Sequence, residues 1–243
     1  GLLLVILSSG TLIGIWHYTP NVWRTYKSWK AFNDAKKYWS KGNAEHAFWS
    51  AQVSSYNSGG RNKYDNLAIL AKASRAINHY SVLEFQEKLA LNTKSSTQEY
   101  LVLVKLALDR KDFFRAEKYF PTVAHLASTK PEVELLRLRI LTRNWRSNQE
   151  EALNIARSLI KNKELKSTEL DRIYIDLCLR DSSVYQEGLR HILKLIHRRD
   201  ESGLVALRRL MQLDTGLHIS QTEKNQFFPL YALFFYSSFL KIL

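Results

Sequence analysis

A single cysteine in 243 residues leaves no intramolecular disulfide to staple the chain. Cys178 lies in the apolar run from Ile173 to Leu179, so it reads as a packing residue and not as a nucleophile. Glycine and proline are scarce, nine and four respectively. No stretch alternates apolar and polar residues with period two, so a turn-rich β architecture is excluded and the fold class is all-α. Phosphate-loop, Gly-x-Ser-x-Gly and His-Glu-x-x-His motifs are all missing. The seven histidines are scattered. His191 and His197 stand six apart, which points them to different sides of a helix. Asp176 sits in an apolar run and reads as the polar side of its helix. The sequence therefore carries no catalytic set, metal set or cofactor fingerprint, and reads as non-enzymatic.

Acid is in short supply as well. The 36 lysines and arginines against 23 aspartates and glutamates leave a net charge of +13. That balance favours an acidic protein partner, an anionic surface or nucleic acid, against the plainer reading of a solvated basic exterior.

Charge is absent altogether before Arg24. The run 1–18 is apolar except for Ser8, Ser9, Thr11 and His17, and a spanning helix needs roughly 20 residues. Counting on to Trp23 reaches that length and sets Trp16, Tyr18, Trp23 and Tyr26 where an interfacial aromatic belt would lie. Residues 1–23 are accordingly read as a transmembrane signal anchor ending at Pro20, with a secretory signal peptide as the rival. The expected protein is a single-pass membrane one. Arg24, Lys27, Lys30, Lys36, Lys37 and Lys41, with Asp34 the only acid among them, favour the cytoplasmic side. A chain opening on glycine suggests missing upstream residues, which could reverse that orientation.

Beyond the anchor the chain repeats itself. In 109–127 a polar turn, Arg110-Lys111-Asp112, precedes Phe113, Ala116, Phe120, Val123 and Ala127, spaced 3, 4, 3 and 4. That is the helix period and makes one apolar face, with Pro121 expected to kink or divide it. A second short helix, 100–108, comes before the turn. Aligning the residue that opens each second helix gives Ala47, Leu83, Ala116, Ala152 and Gly188, spaced 36, 33, 36 and 36. Helix pairs with a period near 34 resemble the tetratricopeptide repeat. In the first repeat Ala35, Tyr38, Gly42-Asn43, Ala47, Ala51 and Ser54 fall at that family's small, tyrosine and turn positions. Ala31 and Asp34 stand where it has tryptophan and leucine, and its closing proline is missing. The repeats are expected at 28–60, 64–90, 97–128, 132–160 (with its turn at 144–149) and 168–197. A partial sixth begins at Asp200 and breaks at Thr215-Gly216. Domains follow as anchor 1–23, repeat array 24–199 and atypical C-terminal helices 200–243. The apolar tail 227–243 either packs under the last repeat, makes a second membrane contact, or precedes further repeats beyond the sequence.

The resemblance implies a right-handed α-solenoid of about five to six repeats, with a concave groove lined by the first helix of each. The groove positions are then Trp29, Phe32, Lys36 and Trp39 in repeat one. In repeat two they are Asp65, Ala68, Lys72 and Arg75, and in repeat three Gln98, Leu101, Lys105 and Leu108. Lys36, Lys72 and Lys105 share one slot, which suits a carboxylate-bearing extended peptide. The paired asparagines of the carboxylate-clamp subfamily are absent. Arginines also cluster at 137, 139, 143 and 146, and Arg190, Lys194 and Arg198 are spaced to share one helix face as a phosphate or acidic-lipid patch. The leading expectation is a membrane-anchored scaffold that binds a protein or peptide. The alternatives are a nucleic-acid or anionic-surface binder and an accessory domain of a larger enzyme.

Overall fold

The computed structural model describes the backbone of residues 2–57, 63–126, 130–162, 165, 167–198 and 200–214. Side chains are described from residue 20 onward, except at 63, 144, 145, 213 and 214. Among these residues the chain forms eleven α-helices and no strand. It divides into two compact units, 1–125 and 126–243.

The first unit holds three helix pairs: α1 (Leu2–Ser40) with α2 (Ala44–Asn57), α3 (Lys63–Ala76) with α4 (Val82–Ala90), and α5 (Thr97–Asp109) with α6 (Phe113–Val123). Each pair closes in the same way. Gly42, Asn78 and Lys111 take positive φ of 75°, 52° and 59°, and they stand 36 and 33 apart. The next amide, of Asn43, His79 or Asp112, donates back to the carbonyl of Tyr38, Ser74 or Ala107 at 3.0, 2.8 and 2.8 Å. The left-handed residue's own amide reaches Trp39, Arg75 or Leu108. This is a helix C-terminus satisfied by the doubled bond of the Schellman motif. The residue that follows then starts the partner helix: Asn43 Oδ1 accepts the His46 amide and Asp112 Oδ1 the Arg115 amide, both at 3.1 Å.

The slot opposite the turn demands a small or closely packed residue. Ala47, Ala116 and Ala152 fill it, all buried. Leu83 holds the place in repeat two, like Ala47 and Ala116 five residues past the left-handed residue of its turn, and is half-buried beside the buried Val82. Cores form where three successive helices meet. Ala35 of α1, Ala47, Phe48 and Ala51 of α2, and Leu70 and Ala73 of α3 make one cluster. Pro121 does not end α6, which passes through it and tightens into a 3-10 turn at Ala124–Leu126.

The second unit repeats the design with α7 (Pro131–Leu141), α8 (Trp145–Lys161), α9 (Thr168–Leu179), α10 (Tyr185–Ile196) and α11 (Glu201–Asp214). Pro131 opens α7, where its missing amide hydrogen costs nothing. The turn expected at 144–149 falls where α7 gives way to a 3-10 turn at Thr142–Asn144 and where α8 is broken by non-helical backbone at Asn148, with φ of -123° and ψ of 19°. In α10 the slot falls to Gly188, where a Cβ would lie 2.7 Å from Cys178 Cβ. That approach needs glycine, and it explains a cysteine buried on the facing helix. The apolar stripes meet in two further clusters, α7–α8–α9 around Leu138, Ala156 and Tyr174, and α9–α10–α11 around Ile175, Ile192 and Leu210.

The expected membrane anchor is corrected. Among the described residues no helix is long and apolar enough to cross a membrane, so single-pass placement does not stand. The opening run is only 18 residues, interrupted by Ser8, Ser9, Thr11 and His17. Nor is it a separate element. Pro20 lies inside α1, where it removes a single intrahelical bond, and the same helix runs on to become the first helix of repeat one. The loop at 58–60, the break at 215–216 and the tail 227–243 lie outside the described residues.

The turn geometry has a measurable consequence. A lysine with positive φ is strained by its Cβ, so Lys111→Gly should raise stability to urea by about 0.5–1 kcal/mol. Ala116→Asp, which buries an unpaired charge in the slot, should lower it by roughly 3–5 kcal/mol. A destabilised Lys111→Gly would contradict this reading of the turn.

Candidate binding surface and charge networks

The lysine row comes first, since its three members were expected on one surface. Each follows a fully buried residue on the first helix of its repeat: Ala35–Lys36, Ala71–Lys72 and Val104–Lys105. A buried neighbour fixes the azimuth of the next side chain, so the three lysines hold equivalent positions in α1, α3 and α5. All three are exposed, and among the described residues none meets a carboxylate at ion-pair distance. Lys36 Nζ instead rests 4.3 Å from the centre of the Phe32 ring.

Their expected apolar companions divide. Trp29 is 57% exposed and free to contact a ligand. Phe32 at 4% and Leu101 at 9% belong to the interior, as does Leu108. Trp39 and Ala68 are half-buried against core clusters. Arg75 is half-buried, while Asp65 and Gln98 are exposed.

The basic face of α10 is also smaller than its spacing suggests. Arg190 and Lys194 are exposed on the helix, but α10 ends at Ile196 with His197 as its cap, so Arg198 falls beyond it. Arg198, Lys194, Thr168, Asp171, His191 and Ser202 line part of a cavity of about 310 Å³ within the second unit. At its wall His191 Nε2 lies 2.9 Å from Asp171 Oδ1. Burial pushes the Asp171 carboxyl up, but bonds from His191 and Ser202 outweigh it and hold the group below its ordinary value. The Ser202 hydroxyl sits on the carboxylate and on Thr168 Oγ1 at 3.4 Å, not on the imidazole.

Other charges are spent between repeats. Glu87 of α4 takes Arg115 Nε of α6 at 3.0 Å and the Tyr119 hydroxyl. Arg157 of α8 reaches Glu187 of α10 at 2.6 Å, and Tyr174 of α9 donates to the same carboxylate. Arg139 of α7 meets Glu169 of α9 at 3.1 Å, and Arg137 is shared by Glu134 and Glu151. Asp176 binds Arg209 of α11 at 2.7 Å, which accounts for the acid in an apolar run. The Cys178 thiol, pushed up to about 11 mainly by burial, is inert. The pairings of Glu87 with Arg115, Arg157 with Glu187, Arg139 with Glu169 and Asp176 with Arg209 were not legible in the sequence, because their members lie some thirty residues apart.

No family model and no curated protein matches the sequence. Among solved structures, the crystal structure of MamA protein superposes with a TM-score of 0.53 at 12% identity, covering 70% of this chain and 90% of that one. A tetratricopeptide repeat protein from Parabacteroides merdae gives 0.42 at 12% identity, covering 84% and 98%. The first likeness speaks to fold alone. With the repeated turns and slots it supports a tetratricopeptide-like stacking of helix pairs in an all-helical chain.

Glu187 supplies a pH test. Its bonds from Arg157 and Tyr174 hold it down at about 2, against an ordinary 4.5. A depressed carboxylate contributes stability above its unfolded value, and that contribution is lost as pH falls from 4.5 towards 2. The stability gap between wild type and Glu187→Gln should therefore close over that window in thermal unfolding. A gap that stays constant down to pH 2 would contradict the assignment.

Proposed function

We propose that this chain is a protein-binding scaffold and that its first three repeats hold an extended acidic segment of a partner. The observation that carries this is the row Lys36, Lys72 and Lys105, exposed in equivalent positions of successive repeats. The contrast with Arg115, Arg139 and Arg157, whose charges serve contacts between repeats, strengthens it. A side chain kept exposed and uncompensated in three consecutive units does nothing for the fold and is available to a ligand.

The energetics set the scale. Each exposed lysine–carboxylate pair contributes roughly 0.2–1 kcal/mol and is screened by salt. Three such pairs give direction and a fast encounter more than affinity. An apolar anchor is needed beside them, and Trp29, one α1 face with Lys36, supplies exposed aromatic area. Arg75 borders the row on α3.

The test uses a labelled glutamate-rich peptide of about ten residues, long enough extended to reach some 35 Å. The triple variant Lys36→Glu, Lys72→Glu and Lys105→Glu should bind it at least tenfold more weakly and lose most of the salt dependence, with helicity unchanged. Equal binding by the folded triple variant would remove this surface from the account.

A further inference from the structure

We propose a second binding surface, adjoining the lysine row and sharing Trp29 with it: the exposed side of α1 over 23–30 binds single-stranded nucleic acid. The sequence there is Trp23-Arg24-Thr25-Tyr26-Lys27-Ser28-Trp29-Lys30, an aromatic residue followed by a cation three times over. Helical geometry turns that triplet into a ladder. Three residues advance about 4.5 Å along the axis and turn about 300°, so each ring stands beside the one before it. The ring centroids of Trp23 and Tyr26 are 5.9 Å apart with planes 22° from parallel, and those of Tyr26 and Trp29 are 6.3 Å apart at 32°. The rings are 57%, 49% and 57% exposed, large values for aromatics on a helix that packs against a neighbour.

The cations keep step with the rings. Arg24, Lys27 and Lys30 are all exposed, and among the described residues none meets a carboxylate. Lys27 Nζ stands 5.2 Å from the centre of the Trp23 ring, so charge and π-face occupy one side. The opposite side is committed to the fold: Ser28 is buried and donates to Ser54 O of α2 at 3.0 Å. Planar faces in series, with exposed cations following them along the helix, are what a polyanion of planar bases requires, stacking on the rings and phosphates on the cations. An amphipathic helix lying in a lipid interface segregates apolar and charged residues on opposed faces. Here they are interleaved. A duplex, whose bases are already stacked inside, could use only the cations. The chain's net charge of +13 adds a favourable long-range field.

The experiment titrates the full chain with a labelled fifteen-residue oligothymidylate and follows tryptophan emission. Binding should quench that emission. Trp23→Ala with Tyr26→Ala should weaken binding at least about tenfold, without loss of helicity, because both rings are exposed. Replacing Arg24, Lys27 and Lys30 by alanine should reduce the salt slope of log K by about 2. Unchanged binding by the ring variant, or equal affinity for duplex of the same length, would overturn the proposal. So would an emission that ignores the oligonucleotide and shifts to the blue on phosphatidylserine vesicles.

Discussion

One left-handed residue per turn carries the first unit. Reversing a helix within three residues leaves its last carbonyls without partners and asks for a backbone conformation that side chains resist. Gly42, Asn78 and Lys111 supply the conformation, and the amides of Asn43, His79 and Asp112 recover the carbonyls. Because the reversal is the same each time, the second helix returns along the same line in each pair. The closest approach then falls at one place, five residues past the left-handed one, where Ala47 and Ala116 are fully buried. Among the described residues the second unit stacks its helices without a left-handed residue. Its α9–α10 turn is closed by Arg180 and Asp181 amides on Leu177 and Cys178 carbonyls, and Gly188 gives up its side chain so that the helices can close.

Pairs become a stack through two kinds of contact. Apolar stripes supply most of the energy, roughly 1.5–3 kcal/mol for each large side chain removed from water. Charged contacts then fix neighbouring repeats at defined points: Glu87 with Arg115, Arg157 with Glu187, Arg139 with Glu169. The turns are tied across repeats too, Arg110 to Asn78 and Gln149 to Asp181. This division of labour frees the outward positions of the first helices. The lysine row and the aromatic ladder of α1 occupy those positions, so function is argued from what the stack leaves unused.

How much of this the sequence discloses depends on range. Helix existence and the repeat period were legible, because stripe spacing and the small slot are local. Burial in repeat two was less legible, since Val82 and Leu83 are equally apolar and only packing makes Val82 the more buried. The anchor was overread for a related reason. Hydropathy over 1–18 says nothing about whether the helix stops, and α1 continues through Pro20 into repeat one. At the candidate surface the lysines were legible from their common slot, whereas Phe32 and Leu101 were assigned to a groove and are interior. A helix wheel without a neighbour cannot tell a groove wall from a core wall. The ion pairs between repeats were beyond sequence reasoning altogether, as was the Asp171–His191 pair.

The helix pairs of the first unit depend on the doubled hydrogen bond at each of their reversals, and amide hydrogen exchange measures that bond directly. The amides of Asn43, His79 and Asp112 should exchange as slowly as those in the middle of the helices they follow, because opening them requires the pair to separate. Exchange at the rate of an exposed loop at all three positions, with the helices still protected, would show that the turns do not hold the pairs together.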